Sequence, residues 1–237
     1  MQPIFCPEGE HLVEQTSDRY YKRDFWIKEN LNYVKPHFRL EKSARIVNRI
    51  AQGRELDLLD VGCGPATLRH LLDNNVHYHG IDIAIHDPAP YLVQTDFLET
   101  PIAFRDKQFD IVLAQGVFEY IGSHQEQKFS EIKRLLRKNG KFVLSYVNFD
   151  HFSKAVYSVY NNVQTFADFK ESLASFFHIE RVVPTSHRWR NNEPTHRLAK
   201  TIHMHMNVDI PFISRLFAIE YFFVCSVGNS ATAGSRT

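Results

Sequence analysis

Asp60, Gly62, Gly64, Asp82 and Asp96 are the residues whose types and spacing best suit chemistry in this chain. Asp60 stands in the apolar run Leu56 to Val61, which has the composition of an interior parallel strand. Gly62 and Gly64 follow, and their lack of a Cβ lets the backbone pass close to a ligand. Pro65 suits the first turn of a helix, whose free N–H groups and positive dipole end would attract a carboxylate or phosphate. Thr67 occupies the place of the third glycine of a dinucleotide fingerprint, so that pattern is incomplete. A carboxylate at Asp60 would repel a pyrophosphate but could face the ammonium of a bound amino acid. The expected ligand is therefore zwitterionic. The alternative for the glycines is an ordinary strand-to-helix turn.

These residues need a sheet to position them, and the chain supplies one by alternation. The stretch from His37 to Ala51 repeats Leu40, Ala44, Ile46, Val47 and Ile50 at near-helical spacing and leads through Gly53 into the first strand. Ala66 to Leu72 reads as a helix, His77 to Ile83 as a second strand, Tyr91 to Gln94 as a third and Phe109 to Ala114 as a fourth. Ser123-His124-Gln125-Glu126 fits a capping box. It would open a helix with Phe129, Ile132, Leu135 and Leu136 on its apolar face and Arg134, Arg137 and Lys138 towards its end, stopped by Gly140. Lys141 to Val147 is the fifth strand, Thr165 to Phe177 a helix, and His178 to Pro184 and Ala218 to Cys225 further strands. Trp189 to Leu216 is polar and irregular. This order predicts an α/β, doubly wound, mainly parallel sheet with ligands at the carboxyl ends of its strands. Residues 1–52 are expected to be N-terminal helices forming a lid, 53–226 the core, 186–216 a substrate-facing insertion and 227–237 a flexible tail.

Size and charge narrow the function classes. The 237 residues, 43% of them hydrophobic, suffice for one sizeable core but not for two domains of ordinary size. A net charge of +1 offers no field for nucleic acid or an anionic membrane. Cys6, Cys63 and Cys225 have no metal-binding spacing and suit a reducing compartment, so a cytoplasmic location is expected. No stretch approaches the roughly 20 apolar residues needed to cross a bilayer. His203 and His205 are separated as a same-face pair on a strand would be. Without a third ligand at a characteristic spacing they read as ordinary histidines, and no metal is expected.

Four ordered segments, Leu59-Asp60-Val61-Gly62-Cys63-Gly64-Pro65-Ala66, Gly80-Ile81-Asp82, Thr95-Asp96-Phe97 and Phe109-Asp110-Ile111-Val112-Leu113, resemble the class I S-adenosylmethionine-dependent methyltransferases, in particular those acting on small molecules. The resemblance runs from about Leu56 to Val147. It implies a Rossmann-like, seven-stranded sheet whose final strand, Ile219 to Cys225, is antiparallel. It also implies that Asp60, Gly62 and Gly64 surround the methionine end of the donor. Asp82 would accept from both ribose hydroxyls, Ile83 would lie against the adenine, and Asp96 would accept from the adenine amino group. Phe97 would donate its backbone N–H to a ring nitrogen, and Gln115 would border the adenosine and the reacting methyl. Tyr21, with Tyr20 and Trp26, would close over the donor or pin the N-terminal helices. Two positions depart from the pattern. Ala66 replaces a frequent third glycine, and Tyr120 replaces the histidine that often follows the glutamate at 119.

A hydroxyl acceptor must lose a proton on methylation, and a neutral histidine or a carboxylate can take it. Glu119 and His151, near strand ends, are the candidates, with Tyr120 and His124 beside them. The expected activity is methyl transfer to an oxygen, or else a nitrogen or carbon, of a small metabolite such as a sugar or a secondary-metabolite intermediate. S-Adenosylhomocysteine would be the product, and neither nucleic acid nor membrane a partner. The protein would be a monomer or a homodimer. The rivals are a catalytically inactive S-adenosylmethionine-binding scaffold or sensor, a protein or nucleic-acid methyltransferase, and a nicotinamide dehydrogenase.

Overall fold

The computed structural model describes residues 23–98, 101–151, 160–189, 202–204 and 217–228, with 151, 186–189 and 202–204 described by backbone only. Its helices are α1 (Arg23–Glu29), α2 (Phe38–Ala51), α3 (Gln125–Leu135) and α4 (Phe166–Phe176). Its strands are β1 (Leu56–Val61), β2 (Val76–Asp82), β3 (Leu92–Gln94), β4 (Phe109–Ala114), β5 (Leu136–Val147), β6 (His178–Trp189), β7 (Ile202–Met204) and β8 (Ala218–Ser226).

The strands form one sheet in the order β3-β2-β1-β4-β5-β8-β6-β7. β3, β2, β1, β4 and β5 are mutually parallel, and β8 enters antiparallel between β5 and β6. The expected seven strands are present. An eighth, β7, pairs antiparallel with the end of β6 inside a stretch whose sequence reads as irregular. Neighbouring residues of β1 feed opposite faces. Leu58 packs with Ala44, Val47 and Ala51 of α2, while Leu59 and Val61 join Phe129, Ile132, Phe169 and Leu173 of α3 and α4. Burial on both faces explains why the central strands are nearly continuous apolar runs.

Three local readings need correction. The chain after the glycine turn forms only a 3-10 turn, Thr67–Leu71, capped by Ala66 in the left-handed conformation at φ +54°. It is too short to supply a helix dipole of the expected strength. The capping box at Ser123 does not form, because Gly122–His124 is itself a 3-10 turn and α3 starts at Gln125 without a side-chain cap. The same helix stops at Leu135, not Gly140, and Arg137 and Lys138 belong to β5. The cause is tertiary. Arg137 reaches sideways to Asp57 on β1 at 2.7 Å and to Asp110 on β4, so a cation suited to a helix end is drawn into the sheet.

Candidate active site

The carboxyl ends of β1, β2 and β4 open into a cavity of about 260 Å³. Its floor begins at the turn after β1. Gly62 and Gly64 take φ of +72° and +53°, a region that costs an L side chain roughly 1–2 kcal/mol. A Cβ on Gly62 would stand 2.6 Å from Val117 Cγ2, so glycine here is also a steric requirement. The turn is pinned to β2 by Gly62 N–H donating to Ile81 O at 2.8 Å.

Asp60 and Asp82 flank this turn, 5% and 8% exposed. The Tyr78 hydroxyl donates to Asp60 Oδ2 at 2.8 Å, but burial prevails and pushes the carboxyl up to about 7. An ammonium brought beside it would favour the ionised form. Asp82 is raised by burial against the N–H groups that it accepts. Gly64 N donates to its Oδ2 at 2.8 Å, and Ala84 N and Asn30 Nδ2 donate to its Oδ1 at 2.9 and 3.4 Å. A carboxylate offers about four acceptor positions. These contacts leave room for roughly one ligand hydroxyl, rather than both, unless the long Asn30 bond yields.

Ile83, Asp96, Phe97 and Gln115 also line the cavity, on the β2, β3 and β4 sides. Asp96 Oδ1 accepts from Leu98 N at 2.8 Å, the Asx turn common at such positions. Gln115 Oε1 accepts from Ser43 on α2. Tyr21 lies outside the described residues. The neighbouring Trp26 lines the cavity and packs edge-on against Tyr120, with ring centroids 5.7 Å apart.

Glu119 and Tyr120 lie in a 3-10 turn after β4 and line the cavity. Glu119 is 1% exposed; its Oε1 accepts from Val147 N at 3.1 Å, while Oε2 is buried without a hydrogen-bond partner. Burial, reinforced by Glu220, pushes its carboxyl up to about 8, so at neutral pH it is mainly protonated. Tyr120 is raised well above the usual phenol range, chiefly by burial, which makes its ring a wall rather than a base. His151 closes the 3-10 turn Phe149–His151, and its side chain is outside the described residues. His124 is exposed and near Gln127, outside the residues lining the cavity.

Several cavity residues escape a reading of the sequence. Tyr33, His37 and Arg39 enter from the segment around the start of α2, and Tyr160 from the loop before α4. His37 caps α2, its Nδ1 accepting from Arg39 N at 3.2 Å; burial and the neighbouring Arg39 hold it below the usual histidine range. Arg39 donates to Glu220 on β8, and its Nε is buried without a partner. The readable signal was Glu220, an acidic residue within the apolar run Ala218 to Cys225. For Arg39, helical periodicity locates α2 but not what its first turn faces.

A family model described as a methyltransferase domain matches residues 36–204, well over half of the chain. The chain belongs to the class I S-adenosylmethionine-dependent methyltransferase family. A curated relative of this methyltransferase domain, the ubiquinone biosynthesis O-methyltransferase of Rickettsia bellii, is 26% identical over 151 residues, 57% of this chain. The match spans 60% of that relative's length. Among solved structures, the 1,6-didemethyltoxoflavin-N1-methyltransferase of Burkholderia thailandensis, with 1,6-didemethyltoxoflavin and S-adenosylhomocysteine bound, superposes with a TM-score of 0.57 at 14% identity. The alignment covers 94% of each chain. A SAM-dependent methyltransferase of Archaeoglobus fulgidus gives 0.56 at 17% identity, covering 80% of this chain and 94% of its own. The cavity presents two buried carboxylates, Asp60 and Asp82, at its strand ends, and Ile83, Leu98 and Val117 add apolar lining. Among the described residues no cluster of His, Cys, Asp and Glu could hold a metal ion, and no helix is long and apolar enough to cross a membrane.

Proposed function

We propose that the protein transfers a methyl group from S-adenosylmethionine to an oxygen of a small acceptor molecule. One observation carries this reading: Glu119, which lines the same cavity as Asp60 and Asp82, presents a buried carboxyl oxygen without a hydrogen-bond partner. Asp60 would face the donor's ammonium and Asp82 its ribose, with Ile83, Asp96 and Phe97 around the adenine. The bound donor supplies a methyl already activated by its sulfonium. Positioning then dominates the barrier. Trp26 and Tyr33 would exclude water from above, and Glu119, with His151 as the other candidate, would take the acceptor's proton.

Transfer to oxygen is favoured by the O-methyltransferase of Rickettsia bellii among its relatives. A small acceptor is favoured by aromatic walls around the cavity and by a net charge of +1, which gives a nucleic acid or an anionic membrane little to bind. Methyl-labelled S-adenosylmethionine offered with a panel of hydroxylated metabolites tests the reading. Label should appear in an acceptor, with S-adenosylhomocysteine released. Calorimetric binding of the donor without turnover on any acceptor would favour a scaffold, and binding of NAD instead would overturn the donor assignment. With Glu119 as the base, turnover should climb as pH rises towards about 8, and Glu119→Gln should abolish that climb.

A further inference from the structure

Lys128, Glu131 and Arg134 recur at three-residue intervals on α3 and turn together towards the chain between β3 and β4. Lys128 is only 1% exposed, with Nζ 2.8 Å from Glu131 Oε2 and 4.9 Å from the centre of the Phe97 ring. The other Glu131 oxygen accepts from Ile102 N. Arg134 donates to Ile102 O at 3.0 Å and to Phe104 O at 2.9 Å. The chain that carries Asp96 and Phe97 is thus clamped from below by a charged row.

Apolar packing would hold a loop in place without the desolvation that a buried ammonium and carboxylate suffer. Charge adds direction, because an ammonium over an aromatic face fixes ring position in a way that aliphatic contact does not. The ring so held belongs to the cavity wall and meets Phe118 in a T-shaped contact, with ring centroids 6.3 Å apart. We propose that Lys128 is a positioning residue for the base-binding end of the cavity, setting through the Phe97 ring how tightly the donor's purine is held. This rests on the reading that the cavity takes S-adenosylmethionine.

Calorimetry of the full chain with S-adenosylhomocysteine and with 5′-methylthioadenosine, which lacks the amino-acid end, tests it. Lys128→Met keeps the aliphatic stem and removes the charge, and should weaken both ligands by roughly tenfold. Lys128→Arg should restore both to within about threefold of the native chain. In a Phe97→Leu background the Lys128→Met change should move either affinity by less than about twofold, since the ring through which it acts is gone. If Lys128→Met fails to fold, Lys128→Gln is read in the same way. Unchanged affinity, a loss confined to S-adenosylhomocysteine, or no rescue by arginine would overturn the proposal while leaving the donor reading intact. A native chain that binds neither ligand would overturn both.

Discussion

Asp82 shows at the scale of one residue how the fold spends a carboxylate. Its oxygens already accept from Gly64, Ala84 and Asn30, so it organises the turn as well as offering an acceptor to a ligand. Asp82→Ala should weaken binding of S-adenosylhomocysteine by about 1–3 kcal/mol, measured by calorimetry. Glu119 has the opposite economy, one bonded oxygen and one buried without a partner. Its carboxyl moves from 4.5 to about 8 on folding. Between those values the folded chain binds the extra proton, so the contribution of Glu119 to stability is complete below pH 4.5 and lost as pH rises to about 8. The slope is at most about 1.4 kcal/mol per pH unit. Glu119→Gln should flatten the fall in Tm between pH 5 and 8 by that one-proton contribution, read by thermal melts of both chains.

At the scale of elements, the turn after β1 is held in place by backbone conformation and contact with neighbouring chain, without a long helix behind it. Ala66 pays a conformational penalty there at φ +54°, where glycine would not. Ala66→Gly should therefore stabilise the fold by about 0.5–1 kcal/mol in denaturant melts, the relief of strain exceeding the added freedom of the unfolded chain. Thr165 offers a contrast remote from that turn, its Oγ1 accepting from Asp168 N at 3.1 Å at the start of α4. Thr165→Ala should cost about 1 kcal/mol of stability and leave donor affinity unchanged by calorimetry. Together the two substitutions separate what holds an element from what serves the cavity.

Across the whole molecule, Arg39 at the start of α2 is joined to Glu220 on β8, so the segment entering the first strand is tied to the last strand of the chain. Glu220 is 5% exposed, and Glu220→Ala would strand a guanidinium whose Nε already has no partner. Melts should show a loss of roughly 3 kcal/mol. Glu220 stands out as an acid within an apolar run, but nothing in the sequence names Arg39 as its partner, because separations of this length are invisible to periodicity. By contrast, the central strands were legible because burial on both faces demands apolar runs, and β4 was placed to the residue. The glycine turn was legible because glycine takes that backbone at least cost, and Asp60 and Asp82 because a polar residue closing a buried strand needs a reason. The sequence by itself thus determined the doubly wound order and the acidic rim at the strand ends, since both follow from local chemistry and the alternation of elements. Tertiary structure alone decided that Arg137 joins the sheet, that Ala66 bends left-handed, that His37, Arg39 and Tyr160 meet around one cavity, and that Glu220 bonds Arg39 beside it. Those outcomes depend on which distant groups become neighbours once the chain has collapsed, and no residue carries that information in its own type or spacing.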